Sequence, residues 1–252
     1  MRENILKSKW QRGELIINGW LAIPSPWSAE LMAHQDWDSL TVDMQHGLID
    51  YETALQMLIA ISTTPVMPLV RVPWNEPGIL QKMLDAGAYG LICPMINTAA
   101  EAEALVTACR YPPLGTRSYG PTRALYYGGA DYLQKANETI MVLAMIETAQ
   151  ALQNLEAILD VPGLDGVYIG PSDLGISLGV GPTHDFGDPR LIQPIERIIA
   201  SAHQHQRLVG VQVMNADAGK LMVSKGVDLV TPATDGRLLA AAASAVVTAM
   251  RG

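Results

Sequence analysis

Five ionisable side chains fall where apolar runs stop. Asp43 and His46 end "LTVDMQHG", Arg71 ends "PVMPLVRV", Glu147 ends "IMVLAMIE", and Asp173 follows "GVYIG" in the turn "GPSD". Two carboxylates brought to one point repel unless one is protonated or a cation lies between them. A hard divalent ion such as Mg2+ or Mn2+, held by Glu147 and Asp173 and completed by water and substrate oxygens, suits that pair. A glycosidase also uses paired carboxylates, but carbohydrate sites present aromatic faces and this chain is only 6% aromatic. The backbone N–H groups of "GPSD", at Ser172 and Asp173, can hold a substrate carboxylate, and Arg71 can neutralise an oxyanion. Asp43, just upstream of His46, can orient the imidazole as a base.

The elements that must bring these groups together are readable from apolar periodicity. Eight short runs, "LIINGWLAI", "SLTVDMQ", "PVMPLVRV", "GLICPMI", "IMVLAMIE", "GVYIGP", "RLVGVQV" and "DLVTPAT", alternate with segments of helical spacing such as "YETALQMLIAIST" and "PRLIQPIERIIASAHQH". Strands apolar on both faces, each followed by a helix, imply a parallel sheet closed as a (β/α)8 TIM barrel. A doubly wound open sheet is the alternative, yet "NGWLAIPSP" after the first strand lacks the glycine-rich dinucleotide turn. In a barrel the strand C-termini build the active site. Strand seven then adds Gln212 to the same end. No linker composition divides residues 1–252, which predicts one domain. The long segment 111–137, rich in Gly, Pro, Tyr and Arg, is expected to lie over one end of the barrel, with Arg117 and Arg123 placed to meet a second acidic group of the substrate.

Composition narrows the function classes. The net charge of -8 argues against a nucleic-acid partner, which needs a basic face. No apolar h-region follows the first basic residues and no membrane-spanning run occurs, so a cytoplasmic protein without a membrane partner is expected. Cys93 and Cys109 read as packing thiols. Lys7, Lys9, Lys82, Lys135, Lys220 and Lys225 lie in the N-terminal segment, helices or loops, and none ends a strand to form a Schiff base.

The blocks "VDMQHG", "VRVP", "LDAGAYGLICPMI", "GTRSYGPTRA", "DYLQKAN" and "IETAQALQNLEAILDVPGLDGVYIGPSDL" closely resemble the HpcH/HpaI family of metal-dependent pyruvate aldolases, in order and over nearly the whole chain. The resemblance implies a phosphoenolpyruvate/pyruvate-type barrel and reversible aldol cleavage of a 4-hydroxy-2-oxo acid to pyruvate and an aldehyde through a metal-bound pyruvate enolate. It implies Mg2+, Mn2+ or Co2+ on Glu147 and Asp173, Arg71 on the keto or enolate oxygen, a His46–Asp43 acid/base dyad, and the amides of Ser172 and Asp173 on the pyruvate carboxylate. It further implies a hexamer built as a trimer of dimers, with C-terminal helices exchanged and Asp85 reaching a neighbour's site. Two positions depart from the family pattern. Met145 replaces a glutamine near the metal, and Gln212 replaces an apolar residue, so the preferred aldehyde is open. Other chemistries on the same scaffold are oxaloacetate decarboxylation, macrophomate-synthase-like carbon–carbon bond formation, citrate lyase β-type acyl-CoA cleavage, and oxo-acid binding without turnover.

Overall fold

Every expected apolar run forms a strand in the computed structural model, which describes residues 1–252. The strands are β1 (Ile16–Leu21), β2 (Ser39–Asp43), β3 (Met67–Arg71), β4 (Gly90–Cys93), β5 (Met141–Ile146), β6 (Gly166–Ile169), β7 (Leu208–Gln212) and β8 (Leu229–Thr234). They are parallel and close as β1 to β8 in sequence order, a (β/α)8 barrel. Strands β2 through β6 are buried at every position, which is why they read as unbroken apolar runs and not as alternation.

The connecting helices begin at signals present in the sequence. Asp50 caps Tyr51–Ile61 by accepting from the Thr53 N–H, and Thr98 with Glu101 forms a capping box on Ala99–Cys109. The stretch "TAQALQNLEAILD", 148–160, has helical spacing throughout yet forms two helices, Ala149–Gln153 and Leu155–Leu159, with Asn154 as the joint. One layer of core lies between strands and helices. A second fills the barrel, where Met67, Met141, Met145, Leu143, Trp20 and Tyr168 occupy the space in a chain with a single Phe. Polar residues also enter that interior as a closed set. Asn18 accepts from the hydroxyls of Ser39 and Thr41 and donates to Thr231 Oγ1, which also accepts from Tyr168. None of these buried groups is left without a partner.

The long segment does cover one end of the barrel, but it is the end where strands begin. It forms helices Thr122–Gly128 and Tyr132–Thr139. The Arg2 N–H donates to Gly128 O, and Tyr127 packs edge-on against Tyr89, the residue before β4. Helix Ile5–Gln11 plugs the same end through fully buried Leu6. The end where strands finish therefore remains open. No helix is long and apolar enough to cross a membrane.

Candidate active site

Strand register sets the first pair of functional residues. Asp43 and Arg71 are directly opposed as the last residues of β2 and β3. Arg71 grips the carboxylate with both prongs, Nε to Oδ1 at 2.8 Å and Nη2 to Oδ2 at 2.7 Å. Trp20 Nε1 adds a bond to Oδ2 at 3.1 Å from β1. Burial by itself would raise the Asp43 pKa, but the Arg71 bonds and charge, the Trp20 indole and the His46 amide reverse this and hold it below the usual carboxylate value. The N–H groups of Gln45 and His46 also donate to Asp43 Oδ1. Asp43 thus reaches His46 through the backbone, so it fixes the loop that carries the imidazole, and the ring itself makes no hydrogen bond within the chain.

The second pair comes from β5 and β6. Glu147 follows β5 and is 1% exposed, while Asp173 sits in the first turn of helix Pro171–Ser177 after β6. Gly170 lies beside Glu147, and a Cβ there would come within 2.3 Å of Glu147 Oε2, so only glycine leaves the carboxylate its place. Glu147 Oε1 accepts from the Met95 N–H at 2.8 Å. Met95 takes a left-handed backbone, φ 56°, unusual for a side chain of its kind. That turn aims its amide at the carboxylate, and strain of this sort collects at functional sites. Burial first, and then the negative charge of Asp173, push the Glu147 pKa up to about 7, against the opposing pull of the Met95 bond and Arg71.

These groups share one cavity of about 280 Å3. It is lined by Asp43, His46, Arg71, Glu147, Ser172, Asp173 and Gln212, together with Trp20, Ala22, Met145, Gly170, Pro171, His184 and Thr234. No lysine lines it. The structure does not bring Asp85 or Arg123 to this cavity. Asp85 is bonded at 2.7 Å to Arg117, and Arg123 donates to Ala86 O, Leu58 O and Ser62 Oγ, clasping two helix ends. Within one chain Arg117 and Arg123 are held by the fold and not offered to a substrate. Trp20, Met95 and His184 were not singled out in the sequence. Trp20 is the one with a legible signal, since an indole near the end of a strand next to Asp43 needs an acceptor.

The donor set suits a divalent cation. Glu147 Oε2 and both Asp173 oxygens have no protein donor, and the charge of Asp173 raises the cost of ionising Glu147. No cluster of three His, Cys, Asp or Glu side chains exists to form a closed cage. An ion held here would keep open positions for water and substrate. Without the ion, the raised Glu147 pKa means that the folded chain holds this proton more tightly than the unfolded chain. Its contribution to stability therefore falls as pH rises from 4.5 to about 7. We expect the Tm of the ion-free wild type, measured against ion-free Glu147→Gln, to fall across that interval. A difference independent of pH would contradict the buried, destabilised carboxylate.

Comparison with known proteins places this geometry in a family. The profile of the HpcH/HpaI aldolase/citrate lyase family matches residues 17–242. A hydroxypyruvate/pyruvate aldolase of Rhizorhabdus wittichii is 41% identical over 98% of this chain and 99% of its own length. A 4-hydroxy-2-oxo-heptane-1,7-dioate aldolase of Escherichia coli is 39% identical over 97% of this chain and 94% of its own. The crystal structure of an HpcH/HpaI aldolase/citrate lyase family protein from Burkholderia cenocepacia superposes with a TM-score of 0.92 at 32% identity, covering 99% of this chain and 100% of that one. The chain belongs to the HpcH/HpaI aldolase/citrate lyase family.

Proposed function

We propose that the chain is a divalent-metal-dependent carbon–carbon lyase that cleaves a 4-hydroxy-2-oxo acid reversibly to pyruvate and an aldehyde. The observation that carries this reading is the convergence of Glu147, Asp173, Arg71 and His46 on one cavity that no lysine lines. A divalent ion at Glu147 and Asp173 supplies positive charge that acidifies the carbon next to an oxo group. The N–H groups of Ser172 and Asp173, in the first helical turn with no carbonyl partner, hold the substrate carboxylate. Arg71 Nη1, left free by the Asp43 pair, meets the oxo oxygen as negative charge develops on it. Trp20 and Asp43 fix the guanidinium so that it need not reorganise during the reaction. His46, exposed and without a protein partner, moves the proton of the 4-hydroxyl group.

Pyruvate release from a 4-hydroxy-2-oxo acid, abolished by EDTA and restored by Mg2+, Mn2+ or Co2+, is the expected result, and turnover unaffected by chelation would end this reading. Loss of CO2 from oxaloacetate with no aldol cleavage would assign the site to decarboxylation instead. We expect His46→Ala to lower kcat by ~10²–10⁴-fold, the usual worth of a positioned acid/base, with little change in Mn2+ affinity. An unchanged kcat would remove His46 from proton transfer.

Assembly through a second copy of the chain completes the proposal. Helix Asp235–Arg251 leaves Leu238, Leu239, Val246, Val247 and Met250 exposed. Beside it, on the outer wall at β1 and β8, an apolar groove of about 420 Å3 is lined by Leu15, Ile17, Val223 and Val230. A partner's helix fits this groove, as exchange within a trimer of dimers requires. The double variant Leu239→Glu/Val246→Glu is expected to have a lower particle mass by light scattering, and an unaltered mass would argue against exchange.

A further inference from the structure

The rim of the cavity is divided. Strands β2 to β6 and the turns after them supply Asp43, His46, Arg71, Glu147 and Asp173, to which Trp20 of β1 is bonded through Asp43, whereas β7, β8 and the end of β1 supply Gln212, Thr234 and Ala22, with His184 reaching in from the loop after helix Pro171–Ser177. On the aldolase reading this charged arc serves the oxo acid and, through His46, only the oxygen of the aldehyde carbonyl. A carbon–carbon bond made at the centre requires its second reactant to lie against the other arc.

Resting on the aldolase reading above, we infer that Gln212 and His184 form the aldehyde-side subsite, and that they select an aldehyde bearing a neutral hydroxyl group beside its carbonyl. Both side chains are half-buried, and neither makes a hydrogen bond within the chain. Thr234 is occupied as the N-cap of the last helix. The Gln212 amide therefore presents a free donor and a free acceptor, and the imidazole presents one of each. Burial, and then the charge of nearby Arg237, hold the His184 pKa below its ordinary value, so the ring is neutral near pH 7. An alkyl aldehyde would strip water from two polar groups and return nothing, which costs affinity. The lining residues of this arc carry no cation for a carboxylated aldehyde, and the nearest one, Arg237, lies outside the lining with its guanidinium donating to the Met214 sulfur. The small Ala22 leaves room for the hydroxyl-bearing carbon.

The reaction served is a simple addition. Carbon 3 of pyruvate gives up one proton and bonds to the aldehyde carbon, the carbonyl π pair moves to its oxygen, and that oxygen takes up one proton. Nothing leaves.

The test compares kcat/KM for glycolaldehyde and for propanal, each with pyruvate and Mn2+. Succinic semialdehyde serves as the carboxylated competitor. Wild type is expected to favour glycolaldehyde over both. Gln212→Leu and His184→Phe, made separately so that misfolding of one does not decide the matter, are each expected to reduce the glycolaldehyde-to-propanal ratio by about tenfold, the worth of one uncharged hydrogen bond. Wild-type exchange of the pyruvate methyl protons for deuterium, without any aldehyde, reports on the underlying chemistry independently. Exchange with a ratio unmoved in both variants, or with wild-type preference for propanal or succinic semialdehyde, overturns the subsite alone. Absence of exchange overturns the subsite together with the aldolase reading.

Discussion

Glu147→Gln is expected to lower kcat on the order of 10³-fold, because charge stabilisation by a correctly held ion is worth several kcal/mol and each 1.36 kcal/mol is about tenfold in rate. The variant keeps the shape of the side chain and the acceptor for the Met95 N–H, so packing around the cavity is conserved. What it removes is one of only two carboxylates facing the proposed ion. Two measurements separate this from a general loss of structure. The rise in Tm that Mn2+ gives wild type should be missing in the variant. The ion-free Tm at pH 8 should equal or exceed that of wild type, since a buried charge with an acidic neighbour has been deleted. A variant that still gains stability from Mn2+ as wild type does would show that Glu147 is not a ligand.

The largest expected effect on stability is at the other pair. Asp43→Ala leaves Arg71, 6% exposed, charged and without its partner. Removing one member of a buried ion pair costs roughly 3–5 kcal/mol. For a chain of this size that corresponds to a fall in Tm of roughly 10 °C. Activity should fall as well, because the guanidinium loses the bonds that aim it. Asp43→Ala/Arg71→Ala should be less destabilised than the sum of the single variants, since each leaves the other group stranded. The pH dependence has the opposite sign to that of Glu147. The folded pKa of Asp43 is depressed, so the pair's contribution is present above 3.8 and is lost as acid is added through the lower folded value. A double variant whose loss equals the sum would mean that the two side chains are energetically independent despite the bonds between them.

The alternation of eight apolar runs with helical segments was legible because a parallel barrel buries both faces of nearly every strand, leaving little room for polar residues except at the ends. That rule located Asp43, His46, Arg71, Glu147, Ser172, Asp173 and Gln212 on one cavity. It fails for residues delivered by loops. His184 and Met95 enter the site through turns whose path depends on tertiary packing: His184 lies in no periodic segment, and Met95, though inside the run "GLICPMI", falls past the end of β4. Arg117 and Arg123 show the complementary limit. Their charge alone suggested recognition, but the direction of the long segment could not be read from its composition. In the fold Arg123 caps two helix ends and Arg117 pairs with Asp85 and Tyr132 where the strands begin. The first helix, Ile5–Gln11, was equally hidden, since its buried face is little more than Leu6.

The two-part rim has a consequence for how such a protein can change over generations. Substitutions at Gln212, Thr234 and Ala22 touch neither the hydrogen bonds of Arg71 nor the bed of Glu147, so drift there alters what is joined without disturbing how it is joined. A duplicated gene starting from this chain has inherited half a ring that it is free to rewrite.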